Sequence, residues 1–213
     1  NDTCYPCLCT VGQYIDALKS GKYDVNHTAV IMSQSGGGCR ASNYIPLIRK
    51  ALKAEFPQVP VMSLNFSGLE KDSSFPIGLK LLLKLAFAVF YGDAIMWGYN
   101  QTKPYESEEG ATDKARDEMM DIVLSKLEKR GYARYKKVVK RKIRAFAAVS
   151  RRDIKKIKVG IVGEIYVKYS ALGNNHLEEF LLSEDCEPVV PVLMDYVLYL
   201  SLIHISEPTR LDV

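Results

Sequence analysis

Three cysteines fall within six residues near the start of the chain, Cys4-Tyr5-Pro6-Cys7-Leu8-Cys9, and a fourth follows three glycines in Ser35-Gly36-Gly37-Gly38-Cys39. Clustered thiols outside a disulfide scaffold read as metal ligands or redox groups, because the thiolate is both a nucleophile and a soft ligand. The C-x-x-C-x-C spacing leaves zinc, an iron–sulfur cluster and a redox pair open. A zinc site on Cys4, Cys7 and Cys9 needs a fourth ligand, and His27 is the nearest histidine. Cys39 stands where a glycine loop is expected to meet a helix, and the partial positive charge of a helix N-terminus favours a thiolate. Gly36, Gly37 and Gly38 would let the backbone approach a bulky cofactor closely, and loop N–H groups of this kind also cradle phosphate. The pattern is neither G-x-G-x-x-G nor a Walker A loop, since no Lys-Ser/Thr follows the glycines. Elsewhere, Glu164 ends an expected strand and is an acid–base candidate, while His176 follows an expected helix cap and reads as surface. Cys186 lies between Asp185 and Glu187, whose charge disfavours a thiolate, and reads as inert. No catalytic residue is assigned.

These residues need elements to position them. Thr10-Val11-Gly12-Gln13 matches a capping box and predicts a helix with Val11, Tyr14, Ile15 and Leu18 on one face, ended by Gly21. His27–Ser33 is a continuous apolar run, as in a strand covered on both faces. A helix over Ala41–Phe56 with Tyr44, Ile45, Ile48, Ala51 and Leu52 inward follows the glycine loop, and Val59–Asn65 is a second strand. Strand, helix, strand is a βαβ unit with parallel pairing. Helical pattern dominates from Ile77 to about Arg152 in three pieces, divided at Lys103-Pro104 and Arg130-Gly131; Ala115, Met119, Ile122, Val123 and Leu127 share one face of the middle piece. Lys158–Ile165 is a third buried strand, Asn175 caps the next helix with Glu178 at its third position, and Val189–Val192 is a fourth strand. The alternation predicts an α/β, doubly wound, Rossmann-like sheet with a helical insertion. The expected domains are 1–156, carrying the insertion over about 77–152, and 157–199, the start of a second βα domain.

The 213 residues are 47% hydrophobic and 25% charged, the balance of a globular chain. An odd cysteine count of five argues against a disulfide-stapled secreted scaffold and for a cytoplasmic setting. Leu79–Trp97 is the one membrane candidate, but Lys80, Lys84 and Asp93 interrupt it, so it is expected to be a helix buried on most sides. Between Tyr132 and Lys158 stand twelve Lys or Arg against Asp153 alone, leaving −7 on the rest of a chain of net charge +4. This block could be a solvated helix face or dock an acidic partner protein; it lacks the aromatic interleaving of a single-strand binder, which disfavours nucleic acid. The opening at Asn1, without a Met, reads as a piece of a longer protein. Residues 200–210 look like an in-frame translation of a sequencing adapter, so 200–213 is expected to be a non-native tail.

Four blocks in order resemble one family: Asn1-Asp-Thr-Cys-Tyr-Pro6, Ser35-Gly-Gly-Gly-Cys-Arg-Ala-Ser-Asn-Tyr-Ile45, Val61-Met-Ser-Leu-Asn-Phe-Ser-Gly-Leu-Glu70, and Val159-Gly-Ile-Val-Gly-Glu-Ile-Tyr166 followed by Gly173-Asn-Asn. They are similar to the long-form activases of 2-hydroxyacyl-CoA dehydratases, in the part related to the iron–sulfur (D-component) subunit of the dehydratase. The resemblance implies several Rossmann-like domains whose cysteines converge on an iron–sulfur cluster of the 4Fe–4S type. It implies Cys4 and Cys39 as ligands, with Cys7 and Cys9 outside the family pattern and a further ligand beyond Tyr199. It also implies low-potential electron transfer driven by ATP in a domain absent from this chain, a dehydratase or reductase partner, and a homo-oligomer in the full-length form. Two other functions remain open on the residues: a non-catalytic docking module using the basic 132–158 segment as a helix, and a zinc-stabilised domain.

Overall fold

The computed structural model describes residues 4–34, 40–65, 78–128 and 144–206. The chain divides into two compact units, Asn1–Gly78 and Leu79–Val213. The boundary expected after residue 156 falls inside the second unit. Gly36, Gly37, Gly38, Cys39 and residues 129–143 of the basic block lie outside the described residues.

The first unit begins with α1 (Tyr5–Lys19). Cys4 is its N-cap and Pro6 sits in its first turn, where a missing N–H costs nothing and a fixed φ suits the helix. The capping box expected at Thr10 is therefore not the helix start. Thr10 lies a turn and a half inside, and its hydroxyl donates back to the Pro6 carbonyl at 2.7 Å, the usual outlet for a mid-helix threonine. Leu18 is buried, and Val11, Tyr14 and Ile15 pack with it as the spacing requires. Ser20 closes the helix, and Gly21 follows at φ +70°, a conformation glycine adopts without penalty. β1 (Val30–Gln34) and β2 (Val61–Asn65) pair in parallel, Val30 opposite Val61 and Gln34 opposite Asn65. Between them a 3-10 turn, Arg40–Asn43, leads into α2 (Tyr44–Glu55), which buries Tyr44, Ile45, Ile48 and Leu52. The βαβ unit is thus formed. Its first strand is covered on one side only: Val30 is buried, while the neighbouring Ile31 is 46% exposed.

The second unit opens with α3 (Leu79–Thr102), joined through the 3-10 turn Lys103–Tyr105 to α4 (Ala111–Glu128). Tyr91 and Ile95 of α3 pack with Ala115, Met119 and Val123 of α4 and with Phe146. The expectation of a helix buried on most sides is corrected here. Leu79, at 72% exposed, and Leu82 and Leu83 stand out from the first turns, and only the second half of α3 enters the core. Asp93, which interrupts the apolar run in sequence, accepts the backbone N–H groups of Leu193 and Met194 at 3.0 and 2.8 Å and so caps a helix a hundred residues away. Among the described residues no helix is long and apolar enough to cross a membrane.

β3 (Lys158–Gly160) and β4 (Glu187–Val189) form a second parallel pair, with α5 (Ile165–Tyr169) and α6 (Leu177–Ser183) between them and α7 (Leu193–Ser206) after. β3 is three residues long and largely exposed; the buried position is Ile161 beyond its end, packed with Leu181 and Val190. The N-cap of α6 is His176 rather than Asn175; both take a left-handed φ, 57° and 55°, and Asn174 Oδ1 accepts the Leu177 N–H at 3.2 Å. α7 runs through residue 199 without a break. The described residues are mixed α/β with two separate two-stranded parallel sheets, so they do not themselves make a doubly wound sheet.

Candidate functional site

The carboxyl ends of parallel strands are where loops open toward ligands, because the helix that follows each strand starts there. α2 follows β1, so its first residue, Tyr44, marks that edge of the first unit. Cys4 Sγ lies 3.1 Å from the Tyr44 hydroxyl, which brings the N-terminus of α1 to the same edge. Two features of the sequence thus meet: the thiol cluster and the start of the helix behind the glycine loop. Cys4 is half-buried, and its side chain makes no capping hydrogen bond to α1.

The other two thiols of the cluster face different surroundings. Cys7 is 2% exposed and belongs to the core with Leu18, Tyr44, Ile48 and Leu52. Burial first, and then the charge of neighbouring Cys4, push its thiol up from the ordinary range. Cys9 is partly exposed on the following turn. The zinc arrangement on Cys4, Cys7 and Cys9 is not formed: among the described residues no three Cys, His, Asp or Glu converge as a metal group. His27 is occupied instead by Asp24, its Nδ1 2.7 Å from the carboxylate in an exposed turn.

The remaining candidates are structural. Glu164 caps α5 by accepting the Val167 N–H at 3.2 Å. His176 is exposed and contacts Glu179 at 3.1 Å. Cys186 is a free thiol whose sulfur lies 3.5 Å from the Glu184 carbonyl. Of the described part of the basic block, residues 144–147 are helical and 152–157 carry no regular structure, and several of its charged side chains have partners inside the unit. Lys156 pairs with Asp185 at 2.6 Å, and Lys158 with Glu187 at 3.1 Å. Arg151 donates to Thr102 and to the Phe146 carbonyl, and Arg152 to the Pro104 carbonyl.

The second unit also holds a cleft of about 500 Å³, lined by Lys103, Glu106, Arg152, Lys156 and Asp185 among others. Its chemistry is largely satisfied. Lys103 lies between Glu106 and Asp113, at 2.5 and 2.7 Å. Glu106 also accepts the N–H groups of Gly110 and Thr112 and so caps α4. Burial pushes both carboxyls up, but the Lys103 ammonium, with the Thr112 and Gly110 donors at Glu106 and with Tyr99 and Arg116 at Asp113, outweighs it and holds them below the usual carboxylate range. Tyr99 donates to Asp113 at 2.9 Å; burial and that hydrogen bond push its phenol up to about 12. Sequence reading missed Tyr44 as the partner of Cys4, although Tyr44 belongs to the same glycine–cysteine block; it was assigned to the core, and it is in the core as well.

The chain has no match among family models, curated proteins or solved structures.

Proposed function

We propose that the chain is an iron–sulfur electron-transfer module of an ATP-dependent activator serving radical dehydratases of the 2-hydroxyacyl-CoA type, acting in the cytoplasm. In this reading the two units belong to a doubly wound, multi-domain protein, and the ATP site lies in a domain outside this chain. Cys4 and Cys39 are the ligands. Gly36, Gly37 and Gly38 give the cluster room, and a dehydratase or reductase is the partner.

The observation that carries the proposal is the position of Cys4. A half-buried thiol at the carboxyl edge of a parallel pair, next to the first residue of α2, fits a cluster ligand at a crevice. Cys39 precedes Tyr44 by five residues in sequence. The donor set fits in part: Cys4 is half-buried at the edge, whereas Cys7 is buried in the core and stands outside the ligand pattern that the resemblance implies. Such a centre supplies one-electron transfer when bound; this chain's residues hold it and limit its contact with water. The alternative of docking through a basic helix rests mainly on residues 132–143, which lie outside the described residues; at the described end Lys156 and Lys158 pair with Asp185 and Glu187.

The test is anaerobic purification of the full chain with assays of iron, zinc and acid-labile sulfide and a visible spectrum. Iron and sulfide in matched amounts are expected, lost in Cys4→Ala and in Cys39→Ala and kept in Cys186→Ala. Stoichiometric zinc without iron, or full iron and sulfide in all three variants, would overturn the proposal.

A further inference from the structure

The first turn of α1 holds two thiols in unlike surroundings. Cys4, the N-cap, is reachable from solvent and lies against the Tyr44 hydroxyl. Cys7, three residues on, is buried at 2% exposure. The Cys7 N–H donates to the Cys4 carbonyl at 3.0 Å and closes the turn, and Cys4 packs against the buried cluster that Cys7 enters from its face of α1. Pro6 between them holds its own φ and is itself buried. Cys9 is two residues further, roughly 200° around the helix from Cys7, and does not share that face.

We propose that Cys4 and Cys7 form a reversible dithiol–disulfide couple that exchanges two electrons with a disulfide-containing substrate, a small-molecule or protein disulfide, with Cys4 as the attacking sulfur and Cys7 as the resolving one. The Cys4 thiolate attacks one sulfur of R–S–S–R; the Cys4–S–S–R bond forms, the substrate bond breaks, and one RS⁻ leaves and takes a proton from solvent. Cys7 then gives up its proton and attacks Cys4 Sγ, forming the Cys4–Cys7 bond and releasing the second RS⁻. The substrate gains two electrons and two protons, and the chain loses the same; a dithiol reductant reverses both steps. The surroundings assign the order. Of the pair, Cys4 can meet a substrate from solvent, whereas Cys7, 2% exposed, is reached only by a sulfur already carried on Cys4. Tyr44 is a positioning residue that can donate to the Cys4 sulfur. The couple does not rest on the metal reading: it requires Cys7, which that reading leaves out, and it requires no metal.

The experiment uses the full chain, freed of metal by chelation and equilibrated without oxygen in buffers of reduced and oxidised glutathione. Samples are acid-quenched, alkylated and mapped by peptide mass spectrometry. Cys4 and Cys7 are expected to lose their thiol hydrogens together as the buffer becomes oxidising and to recover them as it becomes reducing, with Cys186 alkylated throughout. Cys9→Ala leaves this unchanged. Cys7→Ala instead accumulates the Cys4–glutathione mixed disulfide about tenfold above the wild-type level, since nothing resolves it. Free Cys4 and Cys7 at every buffer ratio, or a mixed disulfide that persists on Cys4 of the wild-type chain, overturns the proposal. Should Cys7→Ala fail to fold, as circular dichroism reports, the wild-type map decides alone because the Cys4–Cys7 linkage is read directly. Iron and sulfide content of the anaerobic protein is unaffected by either result, so the two readings fall separately.

Discussion

Both units pair two strands in parallel around intervening helices, yet they treat their reactive side chains in opposite ways. In the second unit the charged groups are consumed by structure: Lys103 by Glu106 and Asp113, Lys156 by Asp185, and Glu187 by the Tyr105 hydroxyl at 2.6 Å. The Glu187 Oε1 is in ion-pair contact with Lys158, its register partner across β3 and β4, without hydrogen-bond alignment. In the first unit the Cys7 thiol is sealed in the core, whereas the Cys4 thiol stands at the strand edge, 3.1 Å from the Tyr44 hydroxyl. The cleft of about 500 Å³ is thus in the unit with the quieter chemistry. Cavity size reports room; unspent reactivity reports function.

The comparison breaks most readily at Glu106. Glu106→Ala takes from Lys103 one of its two carboxylate partners and leaves the N–H groups of Gly110 and Thr112 without their acceptor, and is expected to cost about 3 kcal/mol, as when one partner of a buried pair is removed. Urea unfolding followed by fluorescence of Trp97, the one tryptophan, reads the second unit; protection of Cys7 from alkylation reads the first. Loss of Trp97 stability with Cys7 protection intact is expected, and equal loss of both would show that the units do not respond separately. Next, Gly98→Ala places a methyl 2.5 Å from the buried Phe146 ring and should cost about 2 kcal/mol by overpacking, seen as a lower thermal midpoint.

Acid provides a third lever. Because Glu106 and Asp113 titrate below their ordinary range in the fold, their contribution is full above the unfolded carboxylate range. It is lost as pH falls through their lowered values. Trp97-monitored stability should therefore drop below about pH 4, and Glu106→Gln should flatten that drop; an unchanged slope would remove these carboxyls from the account. A smaller effect is expected at the thiol site. Tyr44→Phe should slow Cys4 alkylation at neutral pH about 3–5-fold, the worth of one hydrogen bond of about 1 kcal/mol. The smallest belongs to Cys186→Ala, within about 0.5 kcal/mol of wild type in the same urea experiment.

Much of this was legible locally. The 3.6-residue period placed Tyr44, Ile45, Ile48 and Leu52 on the buried face of α2, and Ala115, Met119 and Val123 on that of α4, because one helix face must meet the core whatever the core is. Gly21 marked its helix end for an equally local reason, the left-handed φ. The misreadings are cases in which one residue type serves two purposes. Thr10 can cap or bond back within a helix, and the choice fell to Pro6, already in the first turn. Asp93 looked like a flaw in an apolar run and is a cap for α7. At the end of the basic block, Lys156 and Lys158 find carboxylate partners some thirty residues downstream, at Asp185 and Glu187, which no local pattern announces.

What the sequence determined by itself is the set of elements and the reactive inventory: parallel βαβ pairing, the amphipathic helices, and cysteines grouped ahead of the first strand. Those follow from short-range rules, namely steric limits on φ, the period of burial, and the reactivity of a thiol. Only the tertiary structure decided which reactive groups are left over. Cys4 and Cys7 have the same local neighbours, and α2 separates them: Tyr44 meets the sulfur of Cys4 at the surface edge, while Ile48 and Leu52 enclose the core in which Cys7 is buried. Burial and partnership are set by contacts between segments far apart in the chain, and those contacts made one cysteine accessible and its neighbour a core residue.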